Sequence, residues 1–168
     1  MDIRYQIHKK FLSTDFLEKL KSEILHEDFP WRRRDSMTPS HEDGMYFTYC
    51  FYNHMIPKSK FYEPYIIPIL KKLYAEAPLQ IRANMAVSAL FETSGWHTDY
   101  PFNCKTAILY LNDCDGGTEL KINNKIIFIK ADANKMLVFD TLIPHRAITS
   151  KEPIRYVINF NYFISQKN

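Results

Sequence analysis

The chain is 168 residues long, 46% hydrophobic and 15% aromatic, which is enough for one domain with a proper core and favours a sheet-rich interior. Its formal charge of +3 is too small to argue for a nucleic-acid-binding surface. Cys50, Cys104 and Cys114 are odd in number and lack Cys-x-x-Cys spacing, which argues against a disulfide framework and suits a reducing, cytoplasmic setting. Residues 1–10 hold no apolar signal core, and no run approaches the ~20 apolar residues of a membrane span. The expectation is a soluble cytoplasmic protein.

Ser13 or Thr14 can cap a helix running to about His26, with Phe16, Leu17, Leu20, Ile24 and Leu25 at helical spacing. Residues 28–44 carry Pro30, Pro39, Gly44 and the run Arg32, Arg33, Arg34, and predict a loop. Residues 46–52 predict an aromatic strand. Residues 61–76 suit a helix kinked or delayed by Pro64 and Pro68. From Gln80 onwards the text changes to short strands. Residues 80–91 alternate, with Ile81, Ala83, Met85, Val87 and Ala89 on one face and Arg82, Asn84 and Ser88 on the other. Strands follow at 106–111, 118–122, 125–130, 135–140 and 154–163. A turn at 112–117 includes Gly116 and Gly117, and Asn123-Asn124 makes a two-residue hairpin turn. The chain predicts one domain: residues 1–79 as helical or irregular support, and 80–164 as a mainly β jelly roll or sandwich buttressed by the helices.

His97-Thr98-Asp99, followed by His145, supplies two imidazoles and a carboxylate, which can occupy one face of a non-haem Fe(II). In an extended strand His97 and Asp99 project to the same side. Ten residues after His145, Arg155 offers a planar fork for bidentate recognition of a carboxylate. On the last strand Arg155, Val157, Asn159 and Asn161 share one face. That is an odd lining for a dry core unless an anion offsets the guanidinium. His8, His26, His41 and His54 lack partner spacing and suit surface positions.

The segments 95–99, 106–112, 116–120 and 137–140, then Pro144-His145 and 155–160, follow one another in the order and near-spacing of a known family. As a set, across residues 81–163, they resemble the catalytic core of the 2-oxoglutarate- and Fe(II)-dependent oxygenases, specifically the prolyl 4-hydroxylase-like group. The resemblance selects the double-stranded β-helix form of the jelly roll. It implies His97, Asp99 and His145 as metal ligands, with Arg155 and Tyr110 on the distal carboxylate of 2-oxoglutarate. Thr106 and Asn159 are further candidate cofactor-binding residues, and Trp96 is implied as packing beside the metal. It implies Fe(II), 2-oxoglutarate and O2 as cofactor and co-substrates, with ascorbate as a candidate reductant. The implied reaction hydroxylates a C–H bond, with a prolyl residue of a peptide as candidate substrate, releasing succinate and CO2. The intact Asp99 favours hydroxylation over halogenation. The alternatives are oxidation of a nucleic-acid base or a small metabolite, and a non-catalytic jelly-roll module that binds a metal or ligand. Substrate contacts are expected from the loops at 28–44 and 100–105.

Overall fold

The computed structural model describes residues 4–36, 44–90, 92–151 and 154–164. Its strands are β1 (Tyr5–His8), β2 (Arg32–Arg34), β3 (Tyr46–Asn53), β4 (Ile56–Pro57), β5 (Ala75–Ala86) and β6 (Lys105–Tyr110). They continue with β7 (Gly117–Ile122), β8 (Lys125–Lys130), β9 (Lys135–Asp140), β10 (His145–Ile148) and β11 (Arg155–Ile164). A larger antiparallel sheet has the order β1-β9-β6-β11-β5-β3-β2, with β4 against β3. A smaller sheet has the order β10-β7-β8. These two facing sheets form the jelly-roll core that the strand pattern and the resemblance predict.

The central strand β11 explains why both faces of the larger sheet are covered. Ile158, Phe160 and Tyr162 point to one side, where they join Phe51, Ile81, Ala83 and Leu109 in a core roofed by the helices. Val157 points to the other side, between the sheets, with Ile108, Leu120, Ile129, Leu137 and Phe139. Helix α1 (Thr14–Ile24) starts where the Ser13 hydroxyl accepts from the Phe16 N–H. It seats Leu17, Leu20 and Ile24 on the outer core, each such burial contributing roughly 1.5–3 kcal/mol.

The second helical segment differs from its expected bounds for two local reasons. Pro68 has no N–H for the Pro64 carbonyl, and the segment opens as a π turn at Tyr62–Ile66 before α2 (Ile67–Lys72). Tyr74 then takes a left-handed φ of 54°, as residues just beyond helix ends do, and reverses the chain. β5 therefore begins at Ala75 rather than Gln80. It stops at Ala86, where a turn from Val87 to Leu90 replaces the expected continuation; Phe91 lies outside the described residues.

The N-terminal segment supplies sheet as well as helices. β1 pairs with β9 at one edge, and β3 pairs with β5 next to the other. The run at 32–34, expected in a loop, is the edge strand β2 paired with β3. Its three exposed arginines suit an edge that must not recruit another strand. Trp31, expected in the same loop, packs on Phe29 and Tyr156. Residues 37–43 of that predicted loop, including His41, lie outside the described residues; His8, His26 and His54 are exposed.

Asn123 and Asn124 both take positive φ (51° and 59°) and close the β7–β8 hairpin. Gly116 and Gly117, expected to serve a turn, are set by close backbone approach. A Cβ on Gly116 would stand 2.7 Å from the Ile148 carbonyl oxygen, and one on Gly117 would overlap the Ile129 carbonyl. Among the described residues no helix is long and apolar enough to cross a membrane.

Candidate metal centre

His97 and His145 meet across an isolated antiparallel bridge, and the His97-Thr98-Asp99 triplet, expected in an extended strand, lies outside the named strands. The His97 N–H donates to the His145 carbonyl at 3.0 Å, and the His145 N–H returns the bond at 2.9 Å. Asp99 lies in the bend that follows. One donor atom from each of His97, Asp99 and His145 falls within 4.8 Å of the others.

The ring orientations are fixed from behind. His97 Nδ1 lies 3.0 Å from the Gly95 carbonyl oxygen, and His145 Nδ1 lies 3.1 Å from that of Ile143. A carbonyl can only accept, so each Nδ1 carries a proton, and Nε2 is the nitrogen turned toward Asp99. The Nε2 atoms stand 3.8 and 3.6 Å from Asp99 Oδ1. The other carboxylate oxygen, Oδ2, is held by two donors, the Asn161 amide at 2.7 Å and the Thr106 hydroxyl at 3.0 Å. Oδ1 is thereby left facing the two imidazoles. Burial alone would raise the Asp99 carboxyl pKa. The contact and charge of His145, the Asn161 hydrogen bond and the charge of His97 outweigh that effect and hold it well below the usual carboxylate range. An ionised carboxylate oxygen beside two imidazole nitrogens fits a divalent first-row metal.

The cavity beside this cluster has a volume of about 290 Å³. Arg155 forms its inner end and is only 3% exposed. Its Nη2 donates to the Thr118 hydroxyl at 3.1 Å, and the Tyr110 hydroxyl donates to the same oxygen at 2.8 Å. The Arg155 guanidinium stands 5.6 Å from the Tyr110 ring centre. Its Nε is buried with no hydrogen-bond partner among the described residues, and the same holds for Asn159 Oδ1. No carboxylate neutralises Arg155 among those residues. Burial works against its charge and pushes the Tyr110 phenol up, which keeps that hydroxyl a donor. A buried cation with an orphaned N–H fits an anionic ligand that completes the site.

Thr106, expected near the co-substrate, stands instead at the metal end, where its hydroxyl meets Asp99 and Thr141. Trp96 lies under the Arg146 guanidinium, 4.7 Å from ring centre to Cζ, and Arg146 pairs with Glu119 at 2.7 Å. Two residues of the arrangement escaped the sequence reading. Asn161 already stood on the face of Arg155, and its period-two position was the available signal. Thr118 had no such signal, because its contacts depend on β7 facing β11 across the core.

The fold is that of the 2-oxoglutarate- and Fe(II)-dependent oxygenases, in the form found in prolyl hydroxylases. A Trichoplax adhaerens prolyl hydroxylase, solved in complex with a hypoxia-inducible-factor oxygen-degradation-domain peptide, superposes with a TM-score of 0.72 at 16% identity, covering 96% of this chain and 84% of that one. A Burkholderia pseudomallei oxidoreductase of the 2OG-Fe(II) oxygenase family gives 0.73 at 11%, covering 96% and 86%. The epimerase SnoN, in complex with Fe3+, alpha-ketoglutarate and nogalamycin RO, gives 0.68 at 11%, covering 96% and 79%. No family model matches the chain, and no curated protein matches it by sequence.

Proposed function

We infer that this protein is a 2-oxoglutarate- and Fe(II)-dependent dioxygenase that hydroxylates a C–H bond. The observation that carries the reading is one cavity holding both the His97–Asp99–His145 donors and a buried arginine with no counter-ion among the described residues. His97 Nε2, Asp99 Oδ1 and His145 Nε2 would hold the metal. When bound, Fe(II) with 2-oxoglutarate and O2 supplies the oxidising power, so that substrate, 2-oxoglutarate and O2 give hydroxylated product, succinate and CO2.

The chain's own residues divide the remaining work. Arg155 receives the distal carboxylate through its fork, with Thr118 and the Tyr110 hydroxyl fixing the guanidinium plane. Asn159 sits on the same strand face, where its buried carbonyl oxygen is free to accept from a ligand or an ordered water. Asn161 and Thr106 keep the Asp99 carboxylate oriented. Ile108 and Val157 line the cavity between the polar ends and limit water there.

For the substrate, a prolyl residue in a peptide is the reading favoured by likeness to the Trichoplax enzyme and its bound peptide. A small molecule is the second reading, favoured by the equally extensive likeness to SnoN with its bound nogalamycin compound. The test is succinate formation by the purified protein given Fe(II), 2-oxoglutarate and ascorbate. Formation should require both Fe(II) and 2-oxoglutarate, and should disappear in His97→Ala and His145→Ala. A protein that binds neither Mn(II) nor 2-oxoglutarate would be a module of another kind.

A further inference from the structure

Arg82 is the cation of the cavity that metal and co-substrate leave unused. It lies on β5 between Gln80 and Asn84, and all three line the cavity. Strand register puts Arg82 opposite Asn159, two residues from the Asn161 whose amide holds Asp99. Neighbouring strands lie about 4.8 Å apart, and alternate residues on one strand about 6.6 Å, so one diagonal step of about 8 Å separates Arg82 from Asn161 along the sheet. Arg82 is therefore on the wall beside the metal ligands, across β11 from β6.

Its partners set it apart from the other two cavity arginines. Arg155 donates to Thr118, and Arg146 is paired with Glu119. Among the described residues Arg82 makes no salt bridge, and the groups that feel its charge are the phenols of Tyr46 and Tyr100. Asp99 is the one carboxylate lining the cavity among those residues, and it faces the histidines. Charge accounting then leaves a surplus. Asp99 and the two carboxylates of 2-oxoglutarate balance a divalent metal and Arg155. Arg146 is balanced by Glu119. One positive charge remains, on the half-buried Arg82 side chain, which no carboxylate among the described residues pairs.

We propose that Arg82 is the substrate-recognition residue of this cavity and receives a carboxylate that the substrate carries near its reacting carbon. Tyr46 and Asn84 flank it as hydrogen-bond donors. A single carboxylate cancels the surplus, whereas a phosphate monoester would overshoot it. This inference rests on the dioxygenase reading above and narrows its substrate to acids, peptide or not.

The test uses the full chain loaded with Mn(II) and 2-oxoglutarate, with ligand binding followed by calorimetry. The probes are N-acetyl amino acids against their primary amides, and end-blocked peptides with an internal Asp or Glu against their Asn and Gln counterparts. Glycerol phosphate is the phosphate control. Acids of at least one set should bind roughly ten- to a hundredfold tighter than their neutral partners, and the set that does so identifies a terminal or a side-chain carboxylate. Arg82→Gln should abolish the preference, and Arg82→Lys should keep part of it. The proposal is overturned if no acid is preferred in the unaltered protein, if none binds at millimolar concentration, if glycerol phosphate binds best, or if the preference survives Arg82→Gln. The 2-oxoglutarate titration that precedes the probes separates the two levels of inference. Failure there removes the dioxygenase reading itself, whereas normal co-substrate binding without acid preference removes only the role of Arg82.

Discussion

Asn161→Ala tests whether the carboxylate of the metal centre is oriented by the residues behind it. The Asn161 amide donates to Asp99 Oδ2 at 2.7 Å and also to the Thr106 hydroxyl at 3.0 Å. Thr106 in turn donates to the same Oδ2. A hydrogen bond to a charged group is worth about 1.5–3 kcal/mol, and about 1.4 kcal/mol is a factor of ten. Groups that orient metal ligands typically account for about ten- to a hundredfold in metal affinity, the same range reached independently. Mn(II) should therefore bind Asn161→Ala about ten- to a hundredfold more weakly, nearer the lower end because Thr106 still holds the oxygen. Thr106→Val should also weaken binding. The double variant should depart from the sum of the two losses, because both donors serve one atom. Free Mn(II) measured by electron paramagnetic resonance during a titration gives the affinities, and circular dichroism confirms the fold. If folded Asn161→Ala bound Mn(II) within about twofold of the unaltered protein, the two-donor account of Asp99 would be refuted.

Arg155→Ala should raise the 2-oxoglutarate concentration needed for half-maximal binding by roughly ten- to a hundredfold, and Arg155→Lys by less, since a point charge survives without the fork; titration onto the Mn(II)-loaded protein reads both. Gly117→Ala forces a methyl against the Ile129 carbonyl and the Phe128 ring, and should cost about 1–3 kcal/mol in chemical denaturation, whereas Lys121→Ala on the same strand, an exposed position, should change little. In the metal-free protein the depressed Asp99 carboxyl contributes stability that is present above its ordinary value near 3.8 and lost as pH falls through the lower folded value. Denaturation midpoints measured across that acidic range should fall less steeply for Asp99→Asn, and equal slopes would count against a depressed Asp99.

The part of the fold that was legible in the sequence is the part where local chemistry decides. Thr106 to Leu111, the Asn123-Asn124 turn and the β11 alternation each carry their own signal: a short apolar run, a residue type that tolerates positive φ and a two-residue period respectively. The cluster of His97, Asp99 and His145 was legible as a candidate metal site for the same reason, because imidazole and carboxylate side chains announce their chemistry by type. Edge strands were not legible. Arg32–Arg34 becomes a strand only because β3 lies beside it, and nothing in three consecutive arginines encodes that partner. The early start of β5 depends on one residue, Tyr74, adopting a backbone conformation its side chain does not favour. Thr118 and the placement of Thr106 at Asp99 are properties of register between distant strands, and no single segment contains that information.

The reciprocal hydrogen bonds between His97 and His145 tie the two nitrogen donors together through the main chain, so their spacing exists before any ion arrives. Three donors on one face leave the opposite positions open, and so small a set imposes little preference of size or geometry among first-row divalent cations. Discrimination then falls to intrinsic affinity, which rises from manganese through iron, cobalt and nickel to copper. Iron is among the weaker binders in that series. Loading with the right element becomes a matter of supply: which ions the surroundings offer in exchangeable form while the protein folds, and how slowly a wrong one leaves.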